Sequence, residues 1–193
     1  MSSIYIHIPY CKQRCTYCNF YFQISQTNKI KLLKSIKQEL AERKNYLKGE
    51  KITSIYFGGG TPSILMADEI KAIINSIYKV YNVNNDAEIT IECNPDDITA
   101  TKILSFKKMG VNRLSIGVQS FDDNDLKFMN RSHNAKSALK SIEIAKKNGF
   151  KNIAIDLIYG LPEQTLQKWE NNLKIMFSLG IQHFSAYSLT IEE

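Results

Sequence analysis

"RLSIGVQ", residues 113–119, alternates large aliphatic groups with small or polar ones. Leu114, Ile116 and Val118 fall on one side of an extended chain, and Ser115, Gly117 and Gln119 on the other. A strand covered by helices on both faces reads instead as a nearly continuous apolar run. The same division recurs along the chain. Ile4, Ile6 and Ile8 oppose Tyr5 and His7, Ile89 and Ile91 oppose Thr90 and Glu92, and Ile153, Ile155 and Leu157 oppose Ala154 and Asp156. Strands set around a ligand-filled lumen keep such a polar face.

Strand-like runs of this kind alternate with longer amphipathic runs, the pattern of βα units assembled into a parallel sheet. The expected strands are Ile4 to Ile8, Thr53 to Phe57, Glu88 to Glu92, Arg113 to Gln119, Asn152 to Ile158 and His183 to Leu189. The expected helices lie near 29 to 47, 67 to 81, 99 to 109, 134 to 148 and 166 to 179. Gly110, Gly149 and Gly180 follow the last three, as left-handed caps do. The four prolines sit at strand-to-loop junctions, and no linker or low-complexity tract divides the chain. An open Rossmann-type sheet gives the same alternation, but the polar strand faces favour an α/β partial barrel.

The chain has 193 residues and is 44% hydrophobic, enough for one packed domain. Its start lacks a basic region followed by an apolar one, and no run approaches the roughly 18 apolar residues of a membrane span. The expectation is a cytoplasmic protein. The net charge of +6 raises the question of nucleic acid. Many lysines, however, lie in residues 29–51, where acids interleave with bases and Leu33, Ile36, Leu40 and Leu47 form an apolar stripe. That is a solvated helix face, so no nucleic-acid partner is expected.

In parallel α/β architectures the chemistry gathers beyond the C-terminal strand ends. Cys11, Cys15 and Cys18 follow the first strand, GGGTP (58–62) the second, and ECNPDD (92–97) ends the third. VQSF (118–121) ends the fourth, and Asp156 with YGLP the fifth. Three cysteines within eight residues make a poor disulfide framework. Three thiolates on one loop suit a [4Fe–4S] cube with one iron left open. The competing reading is structural zinc completed by His7 or Cys93. The glycines of GGGTP let a ligand approach the backbone, whose N–H groups can hold an anion. Glu92 and Asp156 also resemble a hydrolase acid/base pair, a reading the cysteine triplet disfavours. Cys93 reads as a buried small hydrophobe, and His7 as either a site residue or an interior histidine. Taken without any family context, Arg131 and His133 read as surface residues. Tyr17 and Phe20 read as core aromatics or as packing that shields a cluster.

C-x-x-x-C-x-x-C with Tyr17 before the last cysteine, followed one βα unit later by GGGTP, resembles the radical S-adenosylmethionine (SAM) superfamily. YIHIPYC, YFGGGTPS, IECNP, LSIGVQSF, MNRSHN and IDLIYGLPEQT are similar to the oxygen-independent coproporphyrinogen III oxidase branch, which includes the heme chaperones. The resemblance implies an incomplete (β/α)6 TIM-type barrel, with Cys11, Cys15 and Cys18 as cluster ligands. It implies SAM contacts at Tyr5, Gly59, Gly60, Thr61, Glu92, Gln119, Arg131 and Asp156, with Gln119 and Asp156 at ribose hydroxyls and Arg131 at the carboxylate. It further implies an electron donor for the cluster and reductive cleavage of SAM to a 5′-deoxyadenosyl radical.

Two departures narrow the branch. The oxidases carry a further cysteine two residues past the third, where this chain has Phe20, and they have a longer leader ahead of the first strand. Both favour the heme chaperone subgroup over coproporphyrinogen turnover. The expected cargo is then heme or a porphyrin, and the expected recipient a heme-accepting protein such as a respiratory cytochrome. No membrane span is expected, although peripheral association is compatible. A zinc-stabilised binding module is the non-enzymatic alternative. The family continues into a C-terminal domain, so residues 1–193 are expected to be the radical SAM core, truncated after strand six.

Overall fold

The computed structural model describes residues 2–190. Six strands form one sheet: β1 (Ser2–Ile8), β2 (Ile52–Gly59), β3 (Val83–Cys93), β4 (Arg113–Gln119), β5 (Asn152–Tyr159) and β6 (His183–Ser188). All neighbours are parallel and the strands follow one another in sequence order. Among the described residues β1 and β6 do not pair, so the barrel is open on one side. The helices are α1 (Lys29–Glu42), α2 (Ala67–Val80), α3 (Ala100–Lys108), α4 (Asp123–Phe128), α5 (Ala135–Lys147) and α6 (Leu166–Ser178). This is the partial barrel expected from the strand pattern, in the incomplete (β/α)6 form that the resemblance implies. No helix of the described residues is long and apolar enough to cross a membrane.

In-register parallel strands point side chains of equal parity to the same side. Ile4, Ile55 and Ile89 therefore line up, as do Phe57, Ile91, Leu114 and Ile153. These aliphatic rows pack with Ile70, Ile73 and Ile77 of α2, Ile103 and Phe106 of α3, and Ile142 of α5 in one buried cluster. The opposite rows, Tyr5 with Tyr56 and Thr90, and Glu92 with Ser115 and Ala154, face the lumen. Gly110, Gly149 and Gly180 do take positive φ where helices end.

The differences from the expected boundaries have local causes. β3 begins at Val83, because Ile52 already pairs with Val83 before a register shift. The first helix stops at Glu42 rather than 47. The chain turns through residues 43–49, with Lys48 and Gly49 at positive φ, and Leu47 packs on the core from outside the helix. β6 stops at Ser188, and Leu189 adds one further bond, its N–H donating to the Tyr159 carbonyl at 2.7 Å. Helix α4 is an addition to the expected set. Asp122 caps it by accepting from the N–H groups of Asn124 and Asp125, but six residues are too few for a visible apolar period.

Ile116 is fully buried at the centre of β4, with neighbours on both sides. Ile116→Ala is expected to cost about 2–5 kcal/mol, read as a lower urea midpoint with an unchanged slope.

Candidate functional site

The cysteine loop is closed at its base before any ligand is considered. Gln23 N–H donates to the Pro9 carbonyl at 2.7 Å, and Cys11 N–H donates to the Gln23 carbonyl at 3.1 Å. The glycine loop after β2 runs beside it, with Gly60 N–H on the Ile8 carbonyl (2.8 Å) and Thr61 N–H on the Tyr10 carbonyl (2.7 Å). A Cβ on Gly60 would sit 2.7 Å from the Tyr10 oxygen and 3.0 Å from Cys11 Sγ. A Cβ on Gly59, which lies at φ 113°, would strike the His7 ring at 2.7 Å. Side chains here would separate the two loops.

Cys11, Cys15 and Cys18 are free thiols, each half-buried. Thr61 Oγ1 donates to Cys11 Sγ at 3.6 Å and Arg131 Nη1 to Cys15 Sγ at 3.2 Å, while Cys18 N–H donates to the Cys15 carbonyl at 3.3 Å. Burial, with the neighbouring thiols Cys18 and Cys15 adding to it, pushes the Cys11 thiol up. The candidates for a fourth zinc ligand are otherwise engaged. Cys93 is buried in the aliphatic core and donates to the Ile91 carbonyl, and the His7 ring pairs with Tyr5 Oη at 3.2 Å. Among the described residues no three His, Cys, Asp or Glu side chains converge as a single metal ion requires. A cube asks for something different, one thiolate on each of three irons.

The polar wall is built from the lumen-facing rows. Glu92 accepts from Tyr56 Oη at 2.8 Å and from Gly59 N–H at 3.2 Å. Burial raises its pKa, and Asp156 adds to the rise. Burial likewise raises that of Asp156, against an opposing hydrogen bond from Ser185. Tyr5 stacks on Tyr56 with ring centroids 6.0 Å apart. At the end of β4 the register slips, so that Gln119 pairs with Leu157 and takes φ 68°. The Gln119 amide then occupies the space over Gly117, 3.0 Å from where a Cβ would be. Arg131 spends Nη1 on Cys15 and Tyr17 Oη (3.2 Å) and Nη2 on Asn94 Oδ1 (2.8 Å) and the Gly117 carbonyl (2.9 Å). Its Nε is buried with no partner in the protein.

All eight sequence-assigned contacts and all three cysteines line one cavity of about 840 Å³ beyond the strand ends. Its chemistry fits a cluster and a charged nucleotide. It has three thiols on one loop, glycines where Cβ atoms would fill the cradle, an orphaned guanidinium N–H for an anion, and carboxylates for a cation or hydroxyls. Three readings made without family context are corrected. Arg131 is held in the interior by four partners with its Nε buried, not on the surface. His133 is interior, not on the surface. Its Nε2 pairs with the Val118 carbonyl at 3.0 Å, and burial first, then Arg131, lowers its pKa to about 4. Phe20 is 74% exposed at the cavity rim and is no core aromatic. Asn94 and Tyr187 line the cavity without having been singled out. Asn94 sits two residues past Glu92 in the same motif, a signal that was available.

Compared with known proteins, residues 5–176 match the Radical SAM superfamily. "Heme chaperone HemW" of Bacillus subtilis is 39% identical over all of this chain and 51% of its own length. The protein of the same name from Buchnera aphidicola subsp. Schizaphis graminum is 38% identical over 98% of this chain and 51% of its own. This chain thus spans about half the length of these curated relatives. Among solved structures, coproporphyrinogen III oxidase (HemN) from Escherichia coli superposes with a TM-score of 0.89 at 30% identity, covering 97% of this chain and 44% of that one. The chain belongs to the radical SAM superfamily, on the branch that joins HemN-like oxidases and HemW heme chaperones.

Proposed function

We propose that this chain is the cluster- and nucleotide-binding core of a heme chaperone. Membership of the superfamily implies a [4Fe–4S] cluster and SAM. Cys11, Cys15 and Cys18 hold the cluster. SAM lies against Tyr5, Gly59, Gly60, Thr61, Glu92, Gln119, Arg131 and Asp156. The cargo is heme, delivered in the cytoplasm or at a membrane surface to a heme-accepting protein such as a respiratory cytochrome, with an electron donor serving the cluster. The observation that carries this reading is the convergence of all eleven residues on one cavity.

Together the two bound groups supply one-electron chemistry at a sulfonium carbon–sulfur bond. The chain's own residues bind and orient. Arg131 Nε–H is the free donor for the methionyl carboxylate. Glu92, already fixed by Tyr56 and Gly59, accepts from the ligand's polar groups. Asp156 and Gln119 face the ribose hydroxyls. Phe20 supports a carrier over an oxidase, because it presents a phenyl ring at the cavity rim where the oxidases have a thiol.

Anaerobic reconstitution is expected to give a brown chain with about four irons and four sulfides, and Cys15→Ser to abolish the chromophore. Stoichiometric zinc on a colourless chain would instead favour the binding module. With the cluster loaded, heme titration is expected to give a saturable absorbance shift. Sustained decarboxylation of coproporphyrinogen III would move the reading to the oxidase.

A second expectation follows from the buried carboxylate. Because the Glu92 pKa is raised in the fold, the folded state loses stability as pH rises through that pKa. Glu92→Gln removes the charge and keeps one acceptor, so its Oε1 can still take the Gly59 N–H while its Nε2 donates to Tyr56 Oη, a hydroxyl that also accepts. Its metal-free form is expected to show a higher urea midpoint at neutral pH, with the difference vanishing on acidification. Its affinity for SAM is expected to fall about tenfold or more, the loss of a charge-assisted hydrogen bond.

A further inference from the structure

Helix α4 and the segment after it carry no assigned ligand contact except Arg131, yet Phe128, Met129, Asn130 and Arg131 at its C-terminal end each bond the cysteine loop. Thr16 N–H donates to the Met129 carbonyl at 3.2 Å and Thr16 Oγ1 to the Phe128 carbonyl at 3.1 Å. Gln13 Nε2 donates to the Asn130 carbonyl at 2.5 Å, and Asn130 Nδ2 returns a bond to the Arg14 carbonyl at 2.6 Å. Ser132 donates to Asp96, whose other oxygen pairs with Lys12 at 2.7 Å. These contacts join positions more than a hundred residues apart and bracket Cys15 on both sides.

The cradle is itself anchored. Leu126 and Met129 pack with Ile158 and Leu161 in a small buried cluster, against which Tyr17 of the cysteine loop also packs. Asp125, buried, accepts from Ser120 Oγ (2.8 Å) and Gln164 Nε2 (3.1 Å), and Asn172 of α6 accepts from Phe121 N–H at 2.6 Å. Asn130 adopts φ 52°, a left-handed conformation that Asn tolerates better than other side-chain-bearing residues. That conformation ends α4 and turns both its carbonyl and its amide onto the loop.

We infer that Asn130 is a positioning residue. Through its exchange of hydrogen bonds with Gln13 and Arg14 it fixes the Cys11–Cys18 loop on a rigid cradle before any metal arrives, so the cluster enters a preformed site. The purpose of the thiols rests on the cluster reading, but the cradle itself does not. Preorganisation saves the entropy of ordering the loop at the moment of binding.

The test begins with the metal-free chain. Asn130→Gly accepts the same φ and removes only the side-chain bond, and Gln13→Ala removes the reciprocal one. Each is expected to speed iodoacetamide alkylation of Cys11, Cys15 and Cys18 about fivefold, as the loss of a bond of about 1 kcal/mol would, and the pair together to depart from the product of the two, because both bonds tie Asn130 to adjacent loop residues. Ile73→Val, at a fully buried core position of α2 outside the hydrogen bonds to the loop, serves as a control for general destabilisation. In the reconstituted protein the two loop variants are expected to lose iron to a chelator faster than parent and control, and to show altered electron paramagnetic resonance g-values in the reduced state. Alkylation unchanged in both variants, or accelerated equally by Ile73→Val, would overturn the inference. Should Asn130→Gly fail to fold, Gln13→Ala alone decides. Accelerated alkylation with no iron–sulfur chromophore in the parent would keep the cradle and sink the cluster reading instead.

Discussion

A parallel sheet whose strands follow one another in order ties each residue's side to its parity, and the cavity depends on that parity holding from one strand to the next. The pairing of Tyr5 with Tyr56, and of Glu92 with Ser115, keeps polar groups on the lumen side. The same register stacks Ile4 on Ile55 and Phe57 on Ile91 beneath the helices. A one-residue slip in β3 would exchange Glu92 for Cys93, placing a carboxylate in the aliphatic core and a thiol in the lumen. The register breaks once near the site, between Ile116 and Gln119, and there the backbone compensates with a positive φ that keeps the Gln119 amide over Gly117.

That dependence explains why so much of the site was legible in the sequence. Lumen-facing residues in the strands, such as Glu92 and Asp156, announce their face through period-two alternation, and the glycines of the second loop announce a close approach. Asn130, Gln13 and the buried polar group of Ser120, Asp125, Gln164 and Asn172 announce nothing of the kind. Their partners are distant in sequence, and no local period or composition marks the pairing. Helix α4 was invisible for a related reason. A six-residue helix has little intrinsic stability, and this one exists because tertiary contacts hold its ends. His133 escaped because a polar residue in a loop gives no hint that Val118 will take its ring nitrogen into the interior.

The lumen face is also where the fold works against its own stability. Glu92 and Asp156 both have raised pKa values, chiefly by burial; Asp156 adds to the rise at Glu92, while the Ser185 hydrogen bond and nearby cations oppose the rise at Asp156. Arg131 is held among Cys15, Tyr17, Asn94 and Gly117 with one N–H left over. Unpaired polar groups of this kind destabilise an empty cavity and are satisfied by a ligand of matching charge. The continuous aliphatic packing on the outer face, from Ile8 through Phe57 and Ile91 to Ile155, is what allows the inner face to remain unsatisfied.

The charges within the cavity are also sorted by position. The thiol side is met by Arg131 at Cys15, with Lys12 held nearby by Asp96, whereas Glu92 and Asp156 stand on the strand wall. A cluster bound by three thiolates carries negative charge, which a guanidinium hydrogen-bonded to one ligand sulfur offsets. A sulfonium nucleotide carries positive charge, which the strand carboxylates offset. A cluster and a sulfonium nucleotide bound as proposed would be drawn to opposite sides of one space. Because the residues that bond the cysteine loop follow β4, while the acids project from β3 and β5 themselves, the separation between thiols and carboxylates is set by the sheet and the segments anchored to it.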